Sequence, residues 1–141
     1  MDSTTIQVDI VSAEGEIFAG PARVVFLPAV EGEIGVHPRH APLLTMLKPG
    51  EVRVQTAEGE EHSFYVGGGA LEIQPHRVTV LADTAARARD LDEAEALAAR
   101  QRAQEALTGR LDKISYAEAQ AELARAVAQL KLIQKLRRVK G

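Results

Sequence analysis

The chain has 141 residues, 45% of them hydrophobic but only 4% aromatic, and a formal charge of −3. That length supports one ordinary domain, or a small domain with an appendage, built around an aliphatic core. So small a charge excludes electrostatic nucleic-acid binding by the molecule as a whole, and the absence of cysteine excludes disulfides and thiolate metal sites.

The averages conceal a seam. All six prolines, all four histidines and nine of the eleven glycines lie before residue 80, while fifteen alanines fall within 85–141. Residues 1–84 carry 5 basic and 12 acidic side chains, and residues 85–141 carry 12 and 8. Two modules therefore meet near residues 84–90. No apolar run approaches a membrane span, and the N-terminal MDSTTIQVDI lacks the apolar core of a signal peptide.

Residues 1–84 read as an antiparallel β-sandwich. TIQVDIV (5–11) alternates, placing Ile6, Val8 and Ile10 on one face and Gln7 and Asp9 on the other. Further β-rich runs lie at 23–27, 43–47, 52–56, 62–66, 70–73 and 77–82. Turn signals punctuate them at Glu14-Gly15, Gly20-Pro21, Pro49-Gly50, Glu58-Gly59 and Gln74-Pro75. VRVQTAEGEEHSFYV is the clearest hairpin, turning around residues 57–60. EGEIGVHPRHAPLLTMLKPG (31–50) reads as a shaped loop with two histidines, His37 and His40, around Pro38. Proline at 38 and 42 forbids the helix that would bring these histidines onto one face as metal ligands. Gly67-Gly68-Gly69 continues into Ala70-Leu71-Glu72-Ile73 rather than into Lys-Ser and a helix. It therefore reads as a bulge or a tight backbone approach, not a phosphate cradle.

Residues 85–141 read as an antiparallel αα-hairpin. Asp90 is placed to cap the first helix, with Glu93 three residues on, and Gly109 stands where a left-handed C-terminal residue belongs. Ser115 and Glu118 repeat the capping device. Ala119, Leu123, Ala126, Leu130 and Ile133 then form one apolar seam, expected to meet Leu91, Ala94 and Ala98 across a loop at 108–114. A seam so rich in alanine buries little area, which predicts a hairpin that opens or detaches readily. From Leu123 to Gly141 there are six basic residues and no acid. Lys131, Lys135 and Arg138 share one face, and the stripe suits either a solvated helix end or an acidic protein surface.

No Ser or Thr sits on a strand-to-helix elbow, and nothing in the chain forms a catalytic constellation. The rival from another class is a metal-dependent β-sandwich enzyme using His37, His40, His62 or His76.

Four blocks carry a resemblance: EGEIGVHPRHAPLLTMLKPGEVRV, YVGGGALEIQPHRVTVLADTA, LDEAEA and AELARAVAQLK. Together they resemble the epsilon subunits of bacterial rotary ATP synthases over essentially the whole chain. The resemblance implies a non-catalytic subunit of the rotating central stalk, peripheral on the cytoplasmic face of the bacterial plasma membrane. The implied partners are the gamma subunit, the c-ring and the alpha/beta catalytic head. Glu31, Gly32 and Glu33 match the ring-facing loop, with His40 near the gamma-facing surface. The hairpin is implied to extend into the head and inhibit hydrolysis through Arg125, Lys131, Lys135 and Arg138. Of the family's nucleotide motif, Leu91, Asp92 and Ala96 match, as do Arg102 and Arg125 beyond it. Glu95 replaces the motif's arginine and Gln129 another basic position. An anion beside a triphosphate is unfavourable, so no cofactor is expected and ATP binding to the isolated subunit should be weak.

Overall fold

The computed structural model describes residues 4–109 and 115–140, so most of the loop expected at 108–114 lies outside the described residues. The chain divides into two units, Met1–Ala88 and Arg89–Gly141. The division expected after residue 84 thus falls after Ala88. Residues 85–87 form a last strand of the sheet before the helices begin.

The first unit is a single hydrogen-bonded sheet of eight strands: β1 (Ile6–Ser12), β2 (Gly15–Ala22), β3 (Val24–Ala29), β4 (Gly32–Val36), β5 (Leu43–Gln55), β6 (Glu61–Gln74), β7 (Arg77–Ala82) and β8 (Ala85–Arg87). The order is β2-β1-β7-β6-β5-β3-β4, with β8 pairing β6 beyond the end of β7. Among the described residues only β1 and β7 run parallel.

Alternation in β1 is as expected, with Ile6, Val8 and Ile10 buried. These join Leu27, Val52, Phe64, Leu71 and Val80 in one aliphatic cluster drawn from almost every strand. The 52–66 hairpin also turns where expected. There Thr56 N–H donates to Glu60 C=O at 2.9 Å, and its hydroxyl accepts from Glu60 N–H at 3.1 Å.

Two pairs of expected strands are single long ones. Runs 43–47 and 52–56 are halves of β5, and runs 62–66 and 70–73 are halves of β6. Pro49-Gly50 is therefore not a turn but a bend inside β5, facing the glycine run of β6 through the pairs Pro49↔Gly67 and Leu47↔Gly69. The β3–β5 register shifts between Phe26 and Ala29, and Pro28, which has no N–H to donate, sits in that gap. Gly20-Pro21 likewise lies inside a strand. β2 is an edge strand that pairs only β1, where a missing donor is tolerated. β4 was hidden in the glycine- and proline-rich segment read as loop.

The glycine run is a tight approach without a register slip, because β5–β6 pairing keeps one register on either side of Gly68, from Leu47↔Gly69 to Pro49↔Gly67. Gly68 and Gly69 have φ of +102° and +137°. A Cβ at Gly69 would lie 2.2 Å from the Leu81 carbonyl oxygen and 2.8 Å from the Ala82 Cα. At this point β6 exchanges β7 for β8, with Asp83 N–H donating to Gly68 C=O and Gly67 N–H to Thr84 C=O. Two long strands bending together let one sheet fold back over a shared core, giving the sandwich. The fold-back brings Phe18 of β2 against Phe64 and His62 of β6, with ring centroids 5.5 and 5.4 Å apart.

The second unit holds α1 (Glu93–Leu107) and α2 (Tyr116–Lys140). The α1 cap is Asp92 rather than Asp90. Asp92 Oδ1 accepts from Ala94 N–H at 2.9 Å and Glu95 N–H at 3.2 Å, while Asp90 ends a short 3₁₀ turn. Gly109 is left-handed at φ +81°, and Ser115 Oγ accepts from Glu118 N–H at 3.2 Å, both as expected. Ala94 and Ala98 are exposed; the buried face of α1 is Ala96, Ala103 and Ala106. On α2, Ala119, Ala126, Leu130 and Ile133 are buried as expected, Leu123 is half-buried, and Leu132 joins them.

Replacing Gly69 by alanine should be severe, since both conformation and space forbid a side chain. We expect a loss of about 3 kcal/mol or more and a thermal midpoint lower by about 10 °C. Circular dichroism melting of the full chain checks this; an unchanged midpoint would mean that the approach is not obligatory.

Candidate functional site

The β3–β4 turn carries Glu31, Gly32 and Glu33, and each acid is tied back to β5. Glu31 accepts the Thr45 hydroxyl with both carboxylate oxygens, at 2.9 and 2.8 Å, and Thr45 is itself buried. Glu33 meets Arg53 at 3.4 Å. Gly32, at φ +134°, allows the sharp reversal between β3 and β4. The turn is thus a small anionic tip held by the sheet.

The histidines are scattered. His37 is exposed, and His40 Nδ1 donates to the adjacent Ala41 carbonyl at 2.7 Å. His62 packs on Phe18, and His76 lies in the β6–β7 turn, where its carbonyl accepts from Gln7 N–H at 3.1 Å. Arg39, between His37 and His40, is left-handed at φ +66°, and its N–H donates to Pro75 C=O at 2.8 Å. The 37–42 segment is therefore pinned to the β6–β7 turn by its backbone. Among the described residues no three His, Asp or Glu side chains group as a cation would need.

A feature that the sequence reading missed lies on the outer face of the sheet. Met46 pairs Ala70, Ala70 pairs Leu81, and Leu81 pairs Val11, while Val30 N–H donates to Met46 C=O. Cross-strand partners share a face, so these residues form one apolar row across the sheet. Val30, Met46 and Leu81 are 55%, 55% and 56% exposed, and Leu44 beside them is 75% exposed. The clue was in LLTML, apolar at both parities although a half-buried strand needs only one. Such a row, with the acidic tip following directly after Val30, has the composition of a protein interface rather than of a catalytic pocket.

In the hairpin, Arg102 Nε and Nη2 donate to Glu122 at 3.0 and 2.6 Å, and Arg137 donates to Glu93 at 2.6 Å. These pairs join the start of α1 to the end of α2 and the reverse, as antiparallel packing requires. The hydrogen bond and charge of Glu93 hold the Arg137 guanidinium above its ordinary range. Of the nucleotide-motif residues, Leu91 is half-buried, Asp92 is spent on the cap, Ala96 is packed inward and Arg102 faces Glu122. Asp92 and Arg102, on one helix, stand roughly 15 Å apart along its axis. Glu95 is exposed, and Arg125 and Gln129 are half-buried. Of the basic stripe, Lys131 and Arg138 are exposed and Lys135 is half-buried.

Comparison with known proteins agrees with this two-part build. Residues 5–88 match the model for the ATP synthase delta/epsilon chain β-sandwich domain, and residues 89–134 that for its long alpha-helix domain. The chain belongs to the ATP synthase delta/epsilon chain family. It is 64% identical over 137 residues to the ATP synthase epsilon chain of Nitrosococcus oceani, covering 97% of this chain and 98% of that one. Identity to the epsilon chain of Alkalilimnicola ehrlichii is 62% over 135 residues, covering 96% of each. The fold is shared with a chain in the cryo-EM structure of Euglena gracilis mitochondrial ATP synthase, OSCP/F1/c-ring, at TM-score 0.70 and 18% identity. That match covers 98% of this chain and 82% of the other. Membership makes the chain a non-catalytic subunit of ATP synthase and a component of its central stalk. Among the described residues no helix is long and apolar enough to cross a membrane.

Proposed function

We propose that the sandwich joins the gamma subunit to the c-ring on the cytoplasmic face of the bacterial membrane, and that the hairpin acts as a brake on ATP hydrolysis. The observation that carries the first half is the apolar row Val30–Met46–Ala70–Leu81 beside the anionic Glu31–Glu33 tip, both set on a well-packed sheet. The row supplies desolvated area for gamma, and the tip supplies charge for the polar loops of the ring. His40, with its ring already bonded to a neighbouring carbonyl, supports the loop that borders the gamma face.

The second half rests on how little closes the hairpin. Among the described residues the buried face of α1 is alanine alone, each worth about one methyl group of transfer energy, and the ion pairs Arg102–Glu122 and Arg137–Glu93 are exposed. A helix pair held so lightly opens at small cost. Extended, Arg125, Lys131, Lys135 and Arg138 would meet an acidic surface in the catalytic head, several weak pairs acting together. ATP has no part in this switch, because Arg102 already has an anion in Glu122 and Glu95 adds a second negative charge to the same helix.

Met46→Asp or Leu81→Asp should leave the melt nearly unchanged yet weaken capture of the gamma subunit at least about tenfold, since each buries a charge in the interface. Wild-type affinity in either variant would remove the row from the interface. Deleting residues 89–141, which spares β8, should leave assembly intact and raise ATP hydrolysis by the complex severalfold; unchanged hydrolysis would count against the brake. Calorimetric titration of the full chain with magnesium-ATP should give no saturable heat below about 1 mM. Tight binding would overturn the exclusion of nucleotide.

A further inference from the structure

The two acids of the β3–β4 tip are held differently, and the Glu33 side has more built around it than one ion pair needs. Phe26 pairs Gly35 on one side and Arg53 on the other, so the three form one row across β4, β3 and β5. A Cβ at Gly35 would stand 3.1 and 3.2 Å from the Phe26 ring, which means that glycine there lets the ring lie flat across β4. On the ring sits the Arg53 guanidinium, its central carbon 4.3 Å from the centroid. The guanidinium edges face three carboxylates: Glu33 at 3.4 Å, Glu61 at 3.7 Å and Glu51 at 3.8 Å. Glu51 is in turn fixed by the Ser63 hydroxyl at 2.6 Å.

We infer that Arg53, seated on Phe26 over Gly35, is the positioning residue that presents Glu33 to the partner of this turn. The inference rests on the reading of the turn as a contact with the ring. A flat guanidinium can stack on a ring and still donate from its edges, whereas a lysine ammonium cannot do both. Arg53 also cancels repulsion among Glu33, Glu51 and Glu61. Without it the one acid of the three that sits at the tip is pushed outward and disordered. Glu31 has no such dependence, because its carboxylate is held by the neutral Thr45 hydroxyl. The tip therefore offers two anions at set positions, and the ordering cost is met before the partner arrives.

The test is a double-substitution cycle in the full chain with Arg53→Gln, Glu33→Gln and both together, plus Arg53→Lys. The readout is the concentration of each variant needed to restore half of ATP-driven proton pumping to vesicles whose ATP synthase has been depleted of this subunit. Arg53→Gln should raise it about fivefold, Arg53→Lys should recover only part of that loss, and the double variant should be no worse than the worse single. Additive losses, or full recovery by lysine, would overturn the role assigned to Arg53. In the isolated chain, Arg53→Gln should shift the amide resonances of Gly32–Gly35 while the thermal midpoint stays within a few degrees. Unmoved resonances would also overturn it. If Glu33→Gln pumps as wild type while the resonances do move, it is the reading of the turn as a ring contact that fails, and the tie between Arg53 and Glu33 stands.

Discussion

The sheet unit depends on one close approach, that of the Gly69 backbone to the Leu81 carbonyl. β6 must pass from β7 to β8 while keeping one register with β5 on both sides of Gly68, and a side chain at Gly69 would collide with the strand it is leaving. Because that collision is absent, β5 and β6 can each serve two layers, and thirteen- and fourteen-residue strands need not make a flat sheet. The exposed apolar row follows from the same geometry. Met46, Ala70 and Leu81 fall in one row only because β5, β6 and β7 are in register just beyond the bend.

The two units are stabilised by different means, and the difference suits different tasks. In the sandwich, mostly branched aliphatics fill a single core drawn from seven strands, so its surface is presented in one conformation. In the hairpin, the inward face of α1 is three alanines, and the charged links Arg102–Glu122 and Arg137–Glu93 lie at the surface, where salt screens them. Small side chains allow close helix approach but contribute little burial. Dense packing in one unit and a small-residue seam in the other are consequences of residue size before they are consequences of function.

Much of this was legible from residue order alone. Alternation in TIQVDIV placed β1 and its buried face, the turn signals at 57–60 placed the β5–β6 hairpin, and Ser115 and Gly109 marked helix ends. The failures share a cause. Proline and glycine were read as punctuation, but in this sheet Pro21 sits on an edge, Pro28 in a ladder gap and Pro49-Gly50 at a bend, each where a missing donor or side chain is tolerated by its neighbours. Only pairing partners reveal that. The choice of Asp90 over Asp92 was likewise undecidable from composition, since Asp92 also precedes a run of helix formers. The inward face, expected at Ala94 and Ala98, is separately set by packing at Ala96 and Ala103.

The apolar row was hidden for the converse reason. A strand that is apolar at both parities looks like a strand buried on both faces, and in Leu43–Leu47 that reading is wrong for one parity: Thr45 and Leu47 face the core, while Leu44 and Met46 do not. Apolar side chains left in water beside a preset pair of carboxylates combine two physical effects at one surface. The row gives non-directional affinity that scales with area. The acids lose free energy unless a partner meets them in register. Area alone would let a rotor subunit bind in many rotations about the contact normal. In the proposed contact the fixed anions, held by Thr45 and Arg53 rather than left on free side chains, would select one of them.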